Sequence, residues 1–278
     1  MISDILVHIP TERPVRPVVD ASISLAAAVG AHLDALAIGY VSSSNAYVME
    51  GGAAVAAVFE LEQERAVERA EAALGLFESE ARNAGISYRC RSSGAVAADA
   101  AASIGAASRL YDLTVVLQPE QGRETFDNTI PQEVLFQSGG PVLFIPHIFR
   151  GAFKAKRIGV CWDGSRVAAR ALRDATPFLA QADALVAIAI NEADSVPEET
   201  SADQLAKHLA HAGLPIKILS LTATRANIEP TILSLAADEN LDMLVMGGYG
   251  HSRLQERFLG GVTRAMLESM TVPTLMSH

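Results

Sequence analysis

The chain has 278 residues, of which 50% are hydrophobic and only 5% aromatic, so its core must be built mainly from alanine, valine, leucine and isoleucine. That length suits two α/β domains of about 140 residues each. The formal net charge of −10 argues against a nucleic-acid-binding surface, which needs clustered lysine and arginine. No apolar run approaches the ~20 residues that a membrane span requires.

Residues 1–10 lack the basic and apolar regions of a secretory signal. The two cysteines, Cys90 and Cys161, fall one in each half of the chain and offer no disulfide framework. This cysteine usage is typical of a reducing compartment. We therefore expect a cytoplasmic protein with neither a membrane nor a nucleic acid as partner.

In the first half, short apolar runs alternate with helical patterns, and Gly30 and Gly85 each end one of the helical patterns. The expected strands are residues 5–9, 33–40, 87–91, 113–117 and 142–145. The expected helices are residues 19–29, 54–84, 95–110 and 132–137. Strands joined by helical crossovers form a parallel sheet with helices on both faces.

Beyond a polar linker at residues 147–156 the pattern starts again. The expected strands are residues 158–162, 185–190, 216–219, 243–246 and 274–276, and the expected helices are 167–179, 202–212, 228–237 and 262–270. Two pairs of segments align without gaps, 111–117 with 241–247 and 140–145 with 272–277. An internal duplication explains both pairs. The predicted fold class is α/β, with two tandem doubly wound five-stranded parallel-sheet domains at residues 1–147 and 157–278.

A glycine-rich segment follows the fourth strand of the second half. Gly247 and Gly250 free the backbone to turn tightly and let main-chain N–H groups approach a ligand. Gly260 and Gly261 open the next helical pattern, whose first N–H groups have no partners within the helix. Two amide-rich corners of this kind favour phosphate oxygens, because the backbone dipoles and a helix N-terminus attract negative charge.

The spacing Gly247-x2-Gly250-x9-Gly260-Gly261 resembles the nucleotide-binding signature of the universal stress protein family. That signature ends in glycine followed by serine or threonine, so Gly261 stands where a hydroxyl group would touch a phosphate. The segment is not a Walker A loop, and Arg253 occupies the place of the third glycine of a Rossmann fingerprint. The resemblance covers nearly the whole chain as a tandem pair.

The resemblance implies the fold of that family, which is like that of the adenine nucleotide alpha hydrolases, and an adenine nucleotide at the carboxyl ends of the second-half strands. It implies that Asp163, at the end of the first of these strands, contacts the nucleoside, and that Ala189 lies beside the base. Val262 and Thr263 would offer N–H groups from the first helical turn, and Thr263 a hydroxyl as well. The implied cofactor is ATP, with or without Mg.

These assignments have structural alternatives. Asp163 suits the N-cap of a helix that begins near Arg166, Thr263 suits a cap as well, and the glycines suit turns and close packing. The first half lacks the motif: no aspartate follows its first strand in register, and only Gly122 remains of the glycines. We therefore expect a degenerate site there.

Other candidate residues carry less chemistry. His208 and His211 lie three residues apart on one predicted helix, but no cysteine or carboxylate completes a metal site with them. His251 and Arg253 could reach phosphates or face solvent. Cys161 suits a small buried apolar residue. The sequence shows no Ser-His-Asp triad or carboxylate pair in an arrangement that would indicate a fast catalyst.

The preferred function is a stress or signalling module that responds to ATP and presents an altered surface to an unidentified protein partner. A slow ATP hydrolase and a structural interaction protein with an empty site remain open. The resemblance also implies that the last strands of the two halves, residues 142–145 and 274–276, pair within one chain as a pseudo-dimer. A further homodimer of chains is left open.

Overall fold

The computed structural model describes residues 1–41, 52–248 and 261–278. The strands within these ranges are β1 (Asp4–Ile9), β2 (His32–Tyr40), β3 (Tyr88–Ala95), β4 (Leu113–Leu117), β5 (Val142–Ile145), β6 (Arg157–Cys161), β7 (Ala184–Ile190), β8 (Ile216–Leu221), β9 (Met243–Gly247) and β10 (Thr274–Ser277). They form one ten-stranded sheet in the order β3-β2-β1-β4-β5-β10-β9-β6-β7-β8.

The helices of the same ranges occupy the connections between strands. They are α1 (Arg16–Val29), α2 (Gly52–Ala84), α3 (Ala97–Ala107), α4 (Ile130–Gln137), α5 (Arg166–Asp174), α6 (Thr176–Leu179), α7 (Glu192–Ser195), α8 (Ala202–His211), α9 (Ile228–Asp238) and α10 (Val262–Ser269). The single helix predicted for residues 167–179 is divided into α5 and α6, because Pro177 begins a new helical turn. None of these described helices is long and apolar enough to cross a membrane.

The two halves join through the strands β5 and β10, which pair antiparallel with Leu275 opposite Leu143. Every other pair of neighbouring strands is parallel. The pairing of residues 142–145 with 274–276 within one chain is therefore confirmed. The predicted α/β fold class is confirmed as well, with five strands from each half continuing into one sheet.

Helices cover both faces of this sheet. Helices α1, α2, α5 and α8 contribute to the core on one face. Helices α3, α4, α9 and α10 contribute to the core on the other face. Alternation along the strands supplies both cores, so that on β4 Val115 belongs to the first core and Val116 to the second. The strand order reverses between β6 and β9, which opens a crevice at the carboxyl ends of these strands.

The long helix α2 lies directly against β2. Its buried stripe includes Ala66, Ala70 and Phe77, each with no exposed surface. At Gly39 the contact is so close that a Cβ atom would lie 1.8 Å from the carbonyl oxygen of Ala66. Only glycine permits this approach between strand and helix backbones.

Candidate functional site

A cavity of about 500 Å³ lies at the carboxyl ends of β6, β7 and β9, in the crevice where the strand order reverses. Its volume falls within the range of about 300–1,000 Å³ that is usual for small-molecule sites. Its apolar lining includes Trp162, Ile188, Ile190, Ile228, Ile232 and Met246. Such a wall suits the flat apolar faces of a ring system, while orientation must come from the polar groups around it.

The structure brings together at this cavity most of the site residues predicted from the sequence. These are Asp163, Gly247, Gly261, Val262 and Thr263. Gly250 and Gly260 lie outside the described residues. The two ends of the glycine-rich segment that the structure describes therefore border one cavity, although they are 14 positions apart in the sequence.

Ala189 does not share this placement. Its side chain is fully buried and belongs to the core on the face of the sheet covered by α5 and α8. Its neighbours Ile188 and Ile190 point to the opposite face and line the cavity. A position for Ala189 beside the base remains a prediction, and only its backbone could make such a contact from β7.

Gly247 ends β9 where helix α5 crosses it. A Cβ atom at this position would lie 2.6 Å from the backbone nitrogen of Ala168 and 2.6 Å from Cγ2 of Val167. The first turn of α5 cannot withdraw without disturbing its own hydrogen bonds. Close packing alone therefore requires glycine at position 247, whether or not a ligand is bound.

Helix α5 begins with Ser165 as its N-cap, whose Oγ accepts a hydrogen bond from the backbone N–H of Ala168 at 3.2 Å. Asp163 is therefore not the helix cap. Its Oδ1 accepts a hydrogen bond from the backbone N–H of Ser165 at 2.9 Å, which holds the exposed carboxylate at the cavity. Gly164, at a φ of +68°, supplies the left-handed turn between the two residues.

The N-terminus of α10 forms another wall. Gly261 is its N-cap, and having no side chain it donates no capping oxygen to the first turn. Thr263 lies in that turn with 5% of its surface exposed, so it is not the cap residue that the alternative assignment required. The positive end of this helix therefore meets the cavity beside Val262 and Thr263 without a capping side chain at position 261.

Two residues that line the cavity were not predicted from the sequence. Arg225 is the cation of the lining and is exposed, in a short 3₁₀ turn that precedes α9. Asn191 fixes that connection to the end of β7: its Nδ2 donates to the carbonyl oxygen of Ala223 at 2.8 Å, and its Oδ1 accepts from the N–H of Ala223 at 2.9 Å. Asn191 has a φ of 59°, and asparagine favours such a conformation, but nothing in the sequence indicates which loop it will hold.

Cys161 also lines the cavity. Burial raises the pKa of its thiol to about 12, and the charge of Asp163 acts in the same direction. The group therefore remains a neutral thiol at physiological pH and is neither an activated nucleophile nor a prepared metal ligand. Among the described residues there is also no group of three or more histidine, cysteine, aspartate or glutamate side chains that could hold a metal ion.

In the first half, polar side chains of the chain itself pack at the carboxyl ends of β1, β2 and β4. Tyr40 donates its hydroxyl hydrogen bond to Oδ1 of Asp127 at 2.7 Å, and the N–H of Glu12 donates to Oδ2 at 2.8 Å. Arg13 donates to the carbonyl oxygen of Gln118 at 2.5 Å. This buried packing is consistent with the expectation of a degenerate site, because a buried carboxylate lies where a phosphate would have to approach.

His8 belongs to the same buried region and makes stability depend on pH. Burial lowers its pKa below the usual 6.5, and the nearby charge of Asp127 opposes this effect only in part. Because the folded protein resists protonation of His8, the stability that neutral His8 provides is complete above about pH 6.5 and declines as the pH falls below that value. We expect the urea midpoint to drop between about pH 7.5 and pH 5.5, and His8→Gln to reduce this drop. His208 is exposed, so His208→Gln should retain the full drop of the urea midpoint. An equal drop in the two variants would contradict the assignment of the pH dependence to His8.

The fold and the cavity define the class of doubly wound α/β proteins whose ligand sites lie beyond the carboxyl ends of the strands. Within that class, residues 154–278 match the model of the universal stress protein family. The second half of the chain is therefore similar to this family, as the glycine spacing predicted. The search of curated proteins finds no match to the sequence.

Solved structures resemble the whole chain. A universal stress protein from Archaeoglobus fulgidus DSM 4304 matches with a TM-score of 0.73 and 17% identity, over 98% of this chain and 95% of that one. A putative universal stress protein from Pseudomonas aeruginosa UCBPP-PA14 matches with a TM-score of 0.57 and 14% identity, over 99% and 93%. A universal stress protein solved in complex with cAMP matches 52% of this chain and 97% of its own, with a TM-score of 0.35 and 21% identity. The two whole-chain matches have the same fold and are consistent with a tandem pair of domains.

Proposed function

We propose that the second half binds an adenine nucleotide, with ATP as the cofactor, and that the chain acts as a nucleotide-responsive stress or signalling module. The observation that carries this proposal is the convergence of Gly247 and the N-terminus of α10 on one cavity. A glycine corner and an open helix N-terminus together supply backbone N–H groups and a favourable dipole for phosphate oxygens.

The charges of the cavity orient the nucleotide. Phosphates would lie at Gly261 and Val262, where the helix dipole attracts them, and away from Asp163, whose carboxylate repels them. A carboxylate accepts hydrogen bonds, so Asp163 would bind the hydroxyl groups of the ribose. The base would then lie against the apolar wall that includes Ile190 and Met246.

Glycine at position 261 weakens this site without removing it. A serine or threonine there would add one hydrogen bond to a charged phosphate, and such a bond contributes about 1.5–3 kcal/mol. Its absence therefore lowers the affinity by roughly 10- to 150-fold. The backbone N–H of Gly261 remains, and Thr263 lines the same cavity with a hydroxyl of its own.

Binding would also couple the site to a partner. A ligand that contacts both Gly247 and Gly261 fixes the separation of the two ends of the glycine-rich segment. Any protein that recognises this region would then bind more tightly or more weakly when nucleotide is present, and it would change the nucleotide affinity by the same factor. We propose this linkage as the basis of signalling.

Titration calorimetry with ATP, with and without Mg, tests the proposal. We expect the wild type to bind and Asp163→Asn to bind roughly 10- to 150-fold more weakly, since a hydrogen bond to a charged group contributes about 1.5–3 kcal/mol. Asp203→Asn, an exposed aspartate in the first turn of α8, should match the wild type.

The other functions give different results in the same preparations. A wild type that binds no nucleotide at millimolar ATP would overturn the proposal and favour a structural interaction protein. Steady phosphate release that Asp163→Asn diminishes would favour a slow ATP hydrolase.

A further inference from the structure

We infer that the first half of the chain positions the root of the glycine-rich segment, defined as Gly247 and Gly248, through helix α4. The contact crosses the seam between the two halves. A Cβ atom on Gly248 would lie 2.9 Å from Cδ2 of Leu135, so this methyl group of α4 packs over the Gly248 backbone. Leu135 is 2% exposed, which makes it a fixed part of the core.

A second contact reaches the same glycine through the last residue of the chain. Nδ1 of His278 lies 3.0 Å from the carbonyl oxygen of Gly248. The ring of Phe136, the residue after Leu135 on α4, meets the His278 ring edge to face with centroids 4.8 Å apart. The N–H of Gly248 donates to the carbonyl oxygen of Ser277 at 2.9 Å. Both backbone polar groups of Gly248 are therefore held, and α4 supports the ring that holds one of them.

Helix α5 attaches the other side of the root to the first half. Its first turn packs against Gly247, as described above, and its Arg170 donates a hydrogen bond to the carbonyl oxygen of Gly139 in the turn after α4. Oδ2 of Asp174, 3.6 Å from Nε of Arg170, accepts a hydrogen bond from Ser277 on β10 at 2.7 Å. The root is thus enclosed by groups that the first half fixes from two directions.

The two halves differ in the aromatic part of this support. Extending the ungapped alignments of the two halves makes Glu268 the counterpart of Phe136, and Gln118 the counterpart of Gly248. Gln118 is held within its own half, where its Oε1 accepts a hydrogen bond from the N–H of His147 at 3.2 Å. Glu268 pairs with Arg264 on α10 itself. Leu267, the counterpart of Leu135, is buried as well, but among the described residues of the second half no aromatic ring occupies the place of Phe136.

This gives the first half a role that does not require a ligand of its own. The first half acts as a covalently attached partner. Its helix α4 fixes the end of β9, where one corner of the proposed phosphate site begins. Leu135 and Phe136 are positioning residues: they touch no nucleotide and act through Gly248 and His278. The effect on affinity rests on the proposed function, whereas the effect on Gly248 does not.

The test compares Phe136→Ala with Phe126→Ala and Phe136→Tyr. Phe126 is also in the first half and also makes an aromatic contact, with Tyr40 at 5.3 Å, but it lies away from the seam. Two quantities are measured on the full chain: the ATP dissociation constant by calorimetry and the hydrogen exchange rate of the Gly248 amide by NMR. We expect Phe136→Ala to weaken ATP binding by about two- to tenfold, the factor that corresponds to one aromatic pair, and to accelerate exchange at Gly248.

Phe126→Ala and Phe136→Tyr should retain the wild-type values for both quantities. Unchanged exchange at Gly248 in Phe136→Ala overturns the inference, as does an equal effect of Phe126→Ala. If the wild type binds no ATP, the proposed function fails, and the exchange rate alone then decides this inference. Faster exchange without any ATP binding would support a structural seam contact that positions the root of an empty site.

Discussion

Replacing Gly39 with alanine is expected to destabilise the protein by about 3 kcal/mol or more, at the upper end of what overpacking usually costs. The new methyl group would lie 1.8 Å from the carbonyl oxygen and 2.4 Å from the carbonyl carbon of Ala66. Both atoms belong to the backbone of α2, which cannot rotate away as a side chain would. The whole helix would have to move off β2, and the contacts of Ala70 and Phe77 with the sheet would loosen with it.

Urea unfolding followed by circular dichroism measures this change, and α2 itself provides the control. Gly75 lies on the exposed side of the same helix, and a Cβ atom there meets nothing within 4 Å. Gly75→Ala should therefore stabilise the protein by about 0.5–1 kcal/mol, the usual gain for alanine over glycine inside a helix. Equal stability of the two variants would mean that α2 and β2 are not in contact at Gly39.

Replacing Gly247 with alanine is expected to remove nucleotide binding and to lower the free energy of unfolding by about 1–3 kcal/mol. The added methyl group would lie 2.6 Å from a backbone nitrogen in the first turn of α5. Either α5 or the end of β9 must move, and both border the cavity. Since productive binding needs the glycine corner to stay opposite the N-terminus of α10, a displacement of about 1 Å suffices to lose most of the affinity.

Calorimetric titration with ATP and urea unfolding measure the two effects on the same samples. Gly140→Ala is the matched control, because the nearest atom to its new methyl group is the carbonyl oxygen of Tyr111 at 4.0 Å. That variant should bind ATP as the wild type does. A Gly247→Ala protein with wild-type affinity would contradict the proposed site.

Periodicity predicts most of the fold because buried parallel strands are short apolar runs and the helices between them have one apolar side. Residues 113–117 and 142–145 are strands with the bounds that the sequence predicts. The prediction is less complete where context decides. Strand β3 extends to Ala95, past the predicted end at residue 91, because Ser92 to Ala95 pair with β2 although their pattern is not apolar.

The candidate site could likewise be predicted from the sequence only in part. The glycine corner could be predicted, because glycine itself indicates a place where the backbone must have no side chain. Arg225 could not, since only the fold brings the connection before α9 to the end of β7. The orientation of the Ala189 side chain could also be predicted. Strand residues alternate between the two faces of a sheet, so Ile188 and Ile190 share the face opposite to Ala189.

The antiparallel pairing of β5 with β10 also limits how two chains could assemble. Strands β5 and β10 are the inner edges of the two halves and pair with each other. The two edges of the described sheet are therefore β3 and β8. Both terminal strands carry basic side chains, Arg89 and Arg91 on β3 and Lys217 on β8, and charges of this kind oppose the addition of a further strand. We would consequently expect a homodimer of this chain to form through surfaces other than the two described sheet edges, which would leave the sheet of each subunit closed to its neighbour.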